Sequence, residues 1–378
     1  MSLKHIIKHF KHVPGSHCES TTIMDLIVHE GIEITEAMVF GLDSTFGFTF
    51  FNYSQDENVE NVFNMEIPLF IGGKQGTITK ESMICRILGL NITIETFSSP
   101  DAAWDSSKKW IKQDIPLGLQ VDMGYLPYFN EQIHFGGHFI TLVGFDEGKN
   151  LAFVYDTEFE DILESSIDDL KKARSSKHGP RFLHPHNTQV TILKRPDGKK
   201  PPFPKAVKLA LQQVARQLIS PSTNRNGIPA LRLLAKSIPR WRSILHGDIK
   251  HPYISKIVPK ASITLEMMYG LIEEWGTGGA IFRNLYAKFL KELLNHPEIN
   301  KGSYAWKEEE LFLLEDAHVQ ITKSAILWSQ FSSQIKQALE KDQKNCLDYI
   351  DLNELETIIE NIISLEEICF QNLLQIKL

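Results

Sequence analysis

One of the four cysteines stands where a helix is predicted to begin, and that position can make a thiol reactive. Cys18 follows the small-residue turn 14–17, and residues 19–28 show the pattern of a helix. The unpaired N–H groups and the positive dipole end of a helix N-terminus favour a thiolate. A thiolate is a nucleophile, so we predict that Cys18 attacks an acyl group. The alternative is a buried cysteine that serves as a small apolar core residue.

A general base and an orienting acid are predicted on a later hairpin. Residues 138–144 and 151–155 are two apolar, β-rich runs, and the polar segment 145–150 between them is typical of a turn. If the turn centres on Glu147, His138 lies directly opposite Asp156, with Cβ atoms about 4.5–5.5 Å apart on one face. A carboxylate in that place orients the imidazole and stabilises the imidazolium. We therefore predict a catalytic triad of Cys18, His138 and Asp156. A slip of one residue would put His138 and Asp156 on opposite faces.

Acyl transfer through a thioester also needs hydrogen-bond donors for the negatively charged oxygen of the tetrahedral intermediate. The backbone N–H of Cys18 is one natural donor, His12 is a candidate for a second, and Ser16 is a weaker candidate. The residues that we predict to stabilise the oxyanion or to position the substrate are His12, Ser16, His17, Asp122 and Tyr125.

Several polar and aromatic residues of the same region have competing interpretations. Asp122 lies in a predicted strand, where a carboxylate needs a partner, and a structural hydrogen bond is the alternative to substrate positioning. Tyr125 and Tyr128 either line an acyl pocket or pack in the core. His134 is an alternative base outside the β-rich run, and Asp146 needs no role beyond forming the turn.

Composition excludes several classes of protein. The net charge of −7 and the lack of a basic patch argue against nucleic acid as a partner. No segment has the roughly 20 uninterrupted apolar residues of a membrane span, and no signal peptide is recognised. The cysteines lack CxxC spacing, and the histidines at 5, 9, 12 and 17 match no compact zinc pattern. We therefore predict a cytoplasmic protein without a metal, a cofactor or a membrane partner.

The pattern of predicted secondary structure changes near residue 200. Short helices alternate with strands before that point, which predicts an α+β class for the first half. The proline- and lysine-rich stretch 196–204 predicts a linker. Residues 205–378 show apolar residues at three-to-four spacing and predict an all-α domain. The predicted domains are thus 1–195, catalytic, and 205–378, helical.

Three segments together resemble a known family. They are Pro-Gly-Ser-His-Cys-Glu-Ser-Thr at 14–21, Gly-Gly-His-Phe-Ile-Thr-Leu-Val-Gly-Phe-Asp at 136–146, and Val-Tyr-Asp at 154–156. They resemble the N-terminal domain of the butirosin biosynthesis protein H family, over roughly residues 10–195. The helical remainder looks like the domain that often follows it. That family is similar to papain-like cysteine peptidases, so the resemblance implies a papain-like N-terminal domain.

The resemblance also implies an activity and assigns roles to residues. Motif by motif, Cys18 corresponds to the nucleophile, His138 to the base and Asp156 to the orienting acid. Papain-like enzymes carry an oxyanion-binding glutamine six residues before the cysteine, and this sequence has His12 at that position. The implied reaction moves an aminoacyl group from an acyl carrier protein or another thioester donor to a small amine acceptor.

Two further function classes stay open at this stage. A papain-like peptidase or amidase would use the same triad with water as the acceptor. A non-enzymatic binding protein would carry a vestigial triad. A helical domain able to dock a carrier protein favours acyl transfer.

Overall fold

The fold combines a sheet with many helices and divides into two compact units. The computed structural model describes residues 3–54, 67–76, 79, 82–129, 133–179, 181–251 and 256–378. One unit consists of Met1–Val39 and Ile78–Lys200, and the other of Phe40–Thr77 and Pro201–Leu378. The first contains the large sheet and the second is mainly helical, which confirms the predicted mixed α and β class with a helical C-terminal part.

The strands are β1 (Lys4–Ile6), β2 (Phe46–Asn52), β3 (Leu69–Lys74), β4 (Leu90–Glu95), β5 (Leu117–Val121), β6 (His138–Asp146), β7 (Leu151–Tyr155), β8 (Leu163–Ser166), β9 (Gln189–Lys194), β10 (Asp248–Lys250) and β11 (Ile257–Pro259). The helices are α1 (Cys18–His29), α2 (Glu36–Leu42), α3 (Met83–Leu88), α4 (Pro100–Ile111), α5 (Ile167–Ser175), α6 (Phe203–Ile219), α7 (Gly227–Ser237), α8 (Trp241–Ile244), α9 (Lys260–Tyr269), α10 (Arg283–Leu294), α11 (Glu308–Lys341) and α12 (Leu352–Gln375).

The sheet of the first unit has helices on both faces. Its strand order is β4-β9-β5-β6-β7-β8, with β1 also paired to β6, and every pair is antiparallel. On one face, Thr141 of β6 donates a hydrogen bond to Asp25 of α1. On the other, Ile140 and Leu142 pack in the core with side chains of α4 and α5. Successive side chains of β6 point to opposite faces of the sheet, so α1 lies on one face and α4 and α5 lie on the other.

The hairpin of β6 and β7 contains a bulge. Asp146 pairs with Leu151 next to the turn, and Thr141 pairs with Tyr155 farther along, but the register shifts by one residue between these pairs. The extra residue is Val143, on β6. A β-bulge of this kind changes which residues of the two strands share a face.

The bulge places the predicted base, His138, and the predicted acid, Asp156, on the same face of the hairpin. Continued one residue past β7, the register sets Asp156 opposite Ile140, so the prediction that His138 lies directly opposite Asp156 was wrong by two residues. A two-residue offset preserves the face, and the two side chains are diagonal neighbours. Without the bulge Asp156 would oppose Thr141, and His138 would point to the other face.

The second unit includes a segment from the N-terminal half. The predicted division kept all of 1–195 together, whereas the structure groups 40–77 with the helices. The reason is aromatic packing: Phe46 of β2 stacks on Tyr286 of α10 with ring centroids 4.3 Å apart. The division between Lys200 and Pro201 falls inside the predicted linker 196–204.

The prediction of an all-α C-terminal domain needs one correction. The segments β10 and β11 form a two-stranded antiparallel ribbon between α8 and α9. In the part of the chain that the structure describes, no helix has the length and apolar character needed to cross a membrane.

A buried ion pair crosses the middle of the second unit. Arg283 of α10 donates two hydrogen bonds of 2.9 Å to the carboxylate of Glu366 on α12, and both side chains are fully buried. The same guanidinium donates to the carbonyl oxygen of Gly47 in β2. It also lies over the rings of Phe46 and Trp328. Buried charge requires such complete pairing, so this contact fixes how β2 packs on the helices.

Replacing Gly118 with alanine tests how closely α1 packs on the sheet. A Cβ atom at Gly118 in β5 would lie 2.9 Å from Cγ2 of Thr22 in α1. We expect Gly118→Ala to lower the free energy of unfolding by about 1–3 kcal/mol, because the helix must shift. Urea unfolding measures this. Gly148→Ala is the control, since its Cβ would meet only Oδ1 of Asp146 at 3.4 Å. Equal stability of the two variants would contradict the close packing.

Candidate active site

Cys18 is the first residue of α1, and its side chain is partly exposed. The helix is capped by His17, whose Nδ1 accepts a hydrogen bond from the N–H of Ser20 at 3.3 Å. The N–H of Cys18 has no acceptor within the helix, as for every residue of a first turn. Cys18 is partly exposed, whereas Cys85, Cys346 and Cys369 are buried, and none of the four forms a disulfide. Cys18 therefore has the exposure and the helix position that a nucleophile requires.

The turn before Cys18 is held by Glu36. The carboxylate of this residue accepts hydrogen bonds from the N–H groups of Ser16, at 2.9 Å, and His17, at 2.6 Å. A Cβ at Gly15 would lie 2.0 Å from Oγ1 of Thr21, so this position admits glycine alone without rearrangement. Because Glu36 occupies these two N–H groups, the backbone of Ser16 and His17 is not available to an oxyanion.

The same turn is tied directly to the residue after Asp156. The N–H of Gly15 donates to the carbonyl oxygen of Thr157 at 2.8 Å. This backbone bond brings the segment before Cys18 to the end of β7.

His138 and Asp156 form the buried pair of the site. Nε2 of His138 lies 2.9 Å from both carboxylate oxygens of Asp156. The carboxylate also accepts the hydroxyl of Tyr128 at 3.0 Å and the N–H of Thr157 at 2.7 Å. Asp156 is 2% exposed and His138 is 9% exposed. These donors offset the cost of burying the carboxylate and fix the imidazole plane.

The electrostatics of the pair keep His138 protonated. Burial lowers the pKa of His138, but the charge and hydrogen bond of Asp156, with a smaller contribution from a hydrogen bond and charge at Cys18, raise it from 6.5 to about 10. Because Nε2 faces Asp156, Nδ1 is the ring nitrogen left for the Cys18 thiol. An imidazolium beside a sulfur favours the thiolate and can return a proton to a leaving group.

Aromatic rings cover the pair. Phe129 lies edge-on to the His138 ring at 5.6 Å, and Phe159 contacts both Phe129 and Tyr128. Burial and then the Asp156 carboxylate raise the pKa of Tyr128 well above its usual value, so its hydroxyl remains a donor. Such a lining limits access of water to the imidazole.

His12 forms a second histidine–aspartate pair. Its Nδ1 lies 2.8 Å from Oδ2 of Asp25, and both side chains are 2% exposed. Thr141 donates to the same oxygen at 2.9 Å, and the ring of Tyr155 stacks on His12 at 4.8 Å. His12 is thus held firmly, although it precedes the first helix.

Asp122 and Tyr125 belong to a different cluster. Asp122 is fully buried and accepts hydrogen bonds from the hydroxyl of Ser176 and the N–H of Phe135, while Nδ1 of His134 lies 2.9 Å from it. Tyr125 packs against the His134 ring at 5.2 Å. In the described ranges, no hydrogen bond or ring contact joins Asp122 or Tyr125 to Cys18 or His138. The pairing of His134 with Asp122 favours the structural interpretation of Asp122.

Three residues of the site were not found from the sequence. Asp25 lies seven residues after Cys18, a spacing that places both on one helix face, and that spacing is the signal that could have identified it. Glu36 and Thr141 carry no local signal, because their partners lie 20 and 116 residues away.

Replacing Asp156 with asparagine should remove the positive charge of the His138 ring at neutral pH. In the wild type the imidazolium persists through the range from pH 6.5 to about 10. The charged pair stabilises the fold fully below pH 6.5 and loses that contribution as the pH rises through 10. Without the carboxylate, burial dominates, so we expect Asp156→Asn to make the ring neutral at pH 7. Nitrogen NMR of labelled histidines measures the charge.

Asp114→Asn is the matched control for this experiment. It removes the exposed carboxylate beside Nε2 of His5, 2.9 Å away, and should leave the His138 signal unchanged. An imidazolium that survives at pH 7 in Asp156→Asn would contradict the assigned origin of the charge.

Two family models match successive parts of the chain. Residues 17–157 match the model described as butirosin biosynthesis protein H, N-terminal, and this range contains Cys18, His138 and Asp156. Residues 168–373, more than half of the chain, match the model described as Domain of unknown function (DUF4872). A search of the curated proteins found no match. The resemblance predicted from the sequence is confirmed: a butirosin biosynthesis protein H N-terminal match is followed by a DUF4872 match, and the chain belongs to the DUF4872 family.

Proposed function

We propose that the protein is a cysteine-dependent acyltransferase that works through an acyl-Cys18 intermediate. It moves an acyl or aminoacyl group from a carrier-protein or CoA-type thioester to a small amine. The observation that carries the proposal is the buried imidazole of His138, bound to Asp156 through Nε2 and interacting with the thiol of Cys18. Nucleophile, proton carrier and orienting acid then have the roles required for acyl transfer.

The first half-reaction transfers the acyl group to the enzyme. The Cys18 thiolate attacks the thioester carbonyl, forming a new carbon–sulfur bond and placing negative charge on the oxygen. The N–H of Cys18 donates to that oxygen. When the intermediate collapses, the bond to the donor sulfur breaks, and the departing sulfur takes the proton of the His138 imidazolium.

The second half-reaction passes the acyl group to the amine. The neutral amine attacks the carbonyl of acyl-Cys18, and the imidazole of His138 accepts a proton from its nitrogen. Collapse of the intermediate breaks the bond to Cys18 and restores the thiolate–imidazolium pair. Asp156 keeps its charge throughout and holds Nδ1 of the ring toward the reacting sulfur.

Three features support this proposal beyond the triad. The family description names a protein of butirosin biosynthesis, which supports a role in the biosynthesis of antibiotic-like small molecules. The order of the site elements supports a papain-like type of unit, with a cysteine beginning α1, a histidine beginning β6 and an aspartate following β7. The aromatic lining around His138 supports an amine rather than water as the acceptor.

The proposal predicts an acyl adduct on Cys18. We expect incubation with simple acyl thioesters, or with an acylated carrier protein, to add one acyl mass to the wild type. Cys18→Ala should show no adduct, and His138→Ala should form the adduct at least about 100-fold more slowly. Intact-mass spectrometry measures this. Cys85→Ala is the control, because its thiol is buried. An adduct that persists in Cys18→Ala would refute the assignment.

Discharge of the adduct separates transfer from hydrolysis. A papain-like peptidase or amidase would use the same three residues with water as the acceptor. We expect amines at millimolar concentration to discharge acyl-Cys18 faster than buffer alone and to yield the amide. Equal rates with and without amine, or cleavage of peptides without any reaction with thioesters, would assign the protein to the hydrolases.

A further inference from the structure

The buried ring of His12 has one nitrogen that is used and one that is not. Nδ1 faces Asp25, whereas Nε2 is buried and has no hydrogen-bond partner within the part of the chain that the structure describes. A buried polar atom without a partner is unfavourable, because it has lost its hydrogen bonds to water. A catalytic role is one of the recognised explanations for a buried polar atom of this kind.

The surroundings of the pair determine how many protons it holds. The groups packed against it are Asp25 from α1, Thr141 from β6 and Tyr155 from β7, and Thr141 donates to the carboxylate. Burial raises the pKa of Asp25, although His12 and Thr141 oppose this. A pair with a single proton would carry a net negative charge in a place that is 2% exposed. A pair with two protons is neutral overall, and burial therefore favours it.

If the pair of His12 and Asp25 holds two protons, Nε2 of His12 is a hydrogen-bond donor. The first proton lies between Oδ2 of Asp25 and Nδ1 of His12, whichever of the two atoms holds it. The second proton must then be on Nε2, which becomes an N–H without an acceptor. A histidine with Nε2–H can donate to an anion, whereas a lone pair at Nε2 cannot.

His12 is connected to both segments of the candidate site. It lies six residues before Cys18, and its ring stacks on Tyr155, the residue before Asp156. Between them, the N–H of Gly15 binds the carbonyl oxygen of Thr157. The chain segment of His12 therefore leads to the proposed nucleophile, and its ring contacts the residue before the proposed orienting acid.

We propose that Asp25 is a positioning residue of the acyl-transfer site: acting through His12, it keeps the pair doubly protonated and directs Nε2–H to the oxyanion. The inference rests on the proposed acyl transfer through Cys18. It assigns to a histidine, held by a carboxylate, the contact that an amide N–H makes in papain-like enzymes. A glutamine at position 12 needs no carboxylate to present its N–H. This difference gives the inference a specific test.

The test measures the rate of acyl-Cys18 formation in a double-mutant cycle. We expect Asp25→Ala to lower the rate about 100-fold when His12 is present. His12→Gln should retain the rate within about tenfold, and adding Asp25→Ala to His12→Gln should change it no more than about threefold. His12→Ala should lose as much as Asp25→Ala. An equal loss from Asp25→Ala in both backgrounds would show that Asp25 is only structural and would overturn the inference.

A spectroscopic measurement does not depend on activity or on the folding of the Asp25 variants. Nitrogen NMR of the wild type, with the His12 signals assigned through His12→Gln, reports whether Nε2 carries a proton. A protonated Nε2 at pH 7 is expected, and an unprotonated one overturns the inference. If the wild type forms no acyl adduct at all, the proposed function fails. If the wild type forms the adduct and Asp25→Ala lowers the rate equally with His12 and with His12→Gln, only the inference about Asp25 is rejected.

Discussion

The Asp156 carboxylate is the group on which the site depends. It is buried, and its oxygens are bound by the imidazole of His138, the hydroxyl of Tyr128 and the N–H of Thr157. Thr157 in turn accepts the N–H of Gly15, in the turn that leads to Cys18. One carboxylate therefore charges the imidazole, orients the aromatic lining and connects the two segments that carry the proposed nucleophile and base.

Residue types and local patterns were sufficient to propose Cys18, His138 and Asp156 as site residues, but not to predict their geometry. A cysteine after a small-residue turn and a histidine that begins a β-rich run have local signals, so Cys18 and His138 could be selected. The register of the hairpin could not, because the bulge at Val143 depends on how β6 pairs with its neighbours. The predicted offset differed by two residues, and the even number preserved the face on which His138 and Asp156 meet.

The remaining features depend on contacts between distant parts of the chain. Glu36 binds the turn before Cys18, and Asp25 and Thr141 hold His12, yet neither contact leaves a pattern in nearby residues. The grouping of 40–77 with the helices has the same origin, since Phe46 stacks on Tyr286 far along the chain. Local periodicity can be recognised in a single sequence, whereas contacts between distant residues can be identified only from the folded structure.

The hydrogen bond between Arg283 and Gly47 has a consequence for synthesis in the cell. The two residues are 236 positions apart, so β2 leaves the ribosome long before the guanidinium that its carbonyl binds. At roughly 5–20 residues per second, the wait is on the order of tens of seconds. During that time Phe46, Phe48 and Phe50, which are buried in the finished protein, have no helices to cover them. The nascent chain therefore carries an aromatic strand open to aggregation or to chaperones until α10 and α12 emerge.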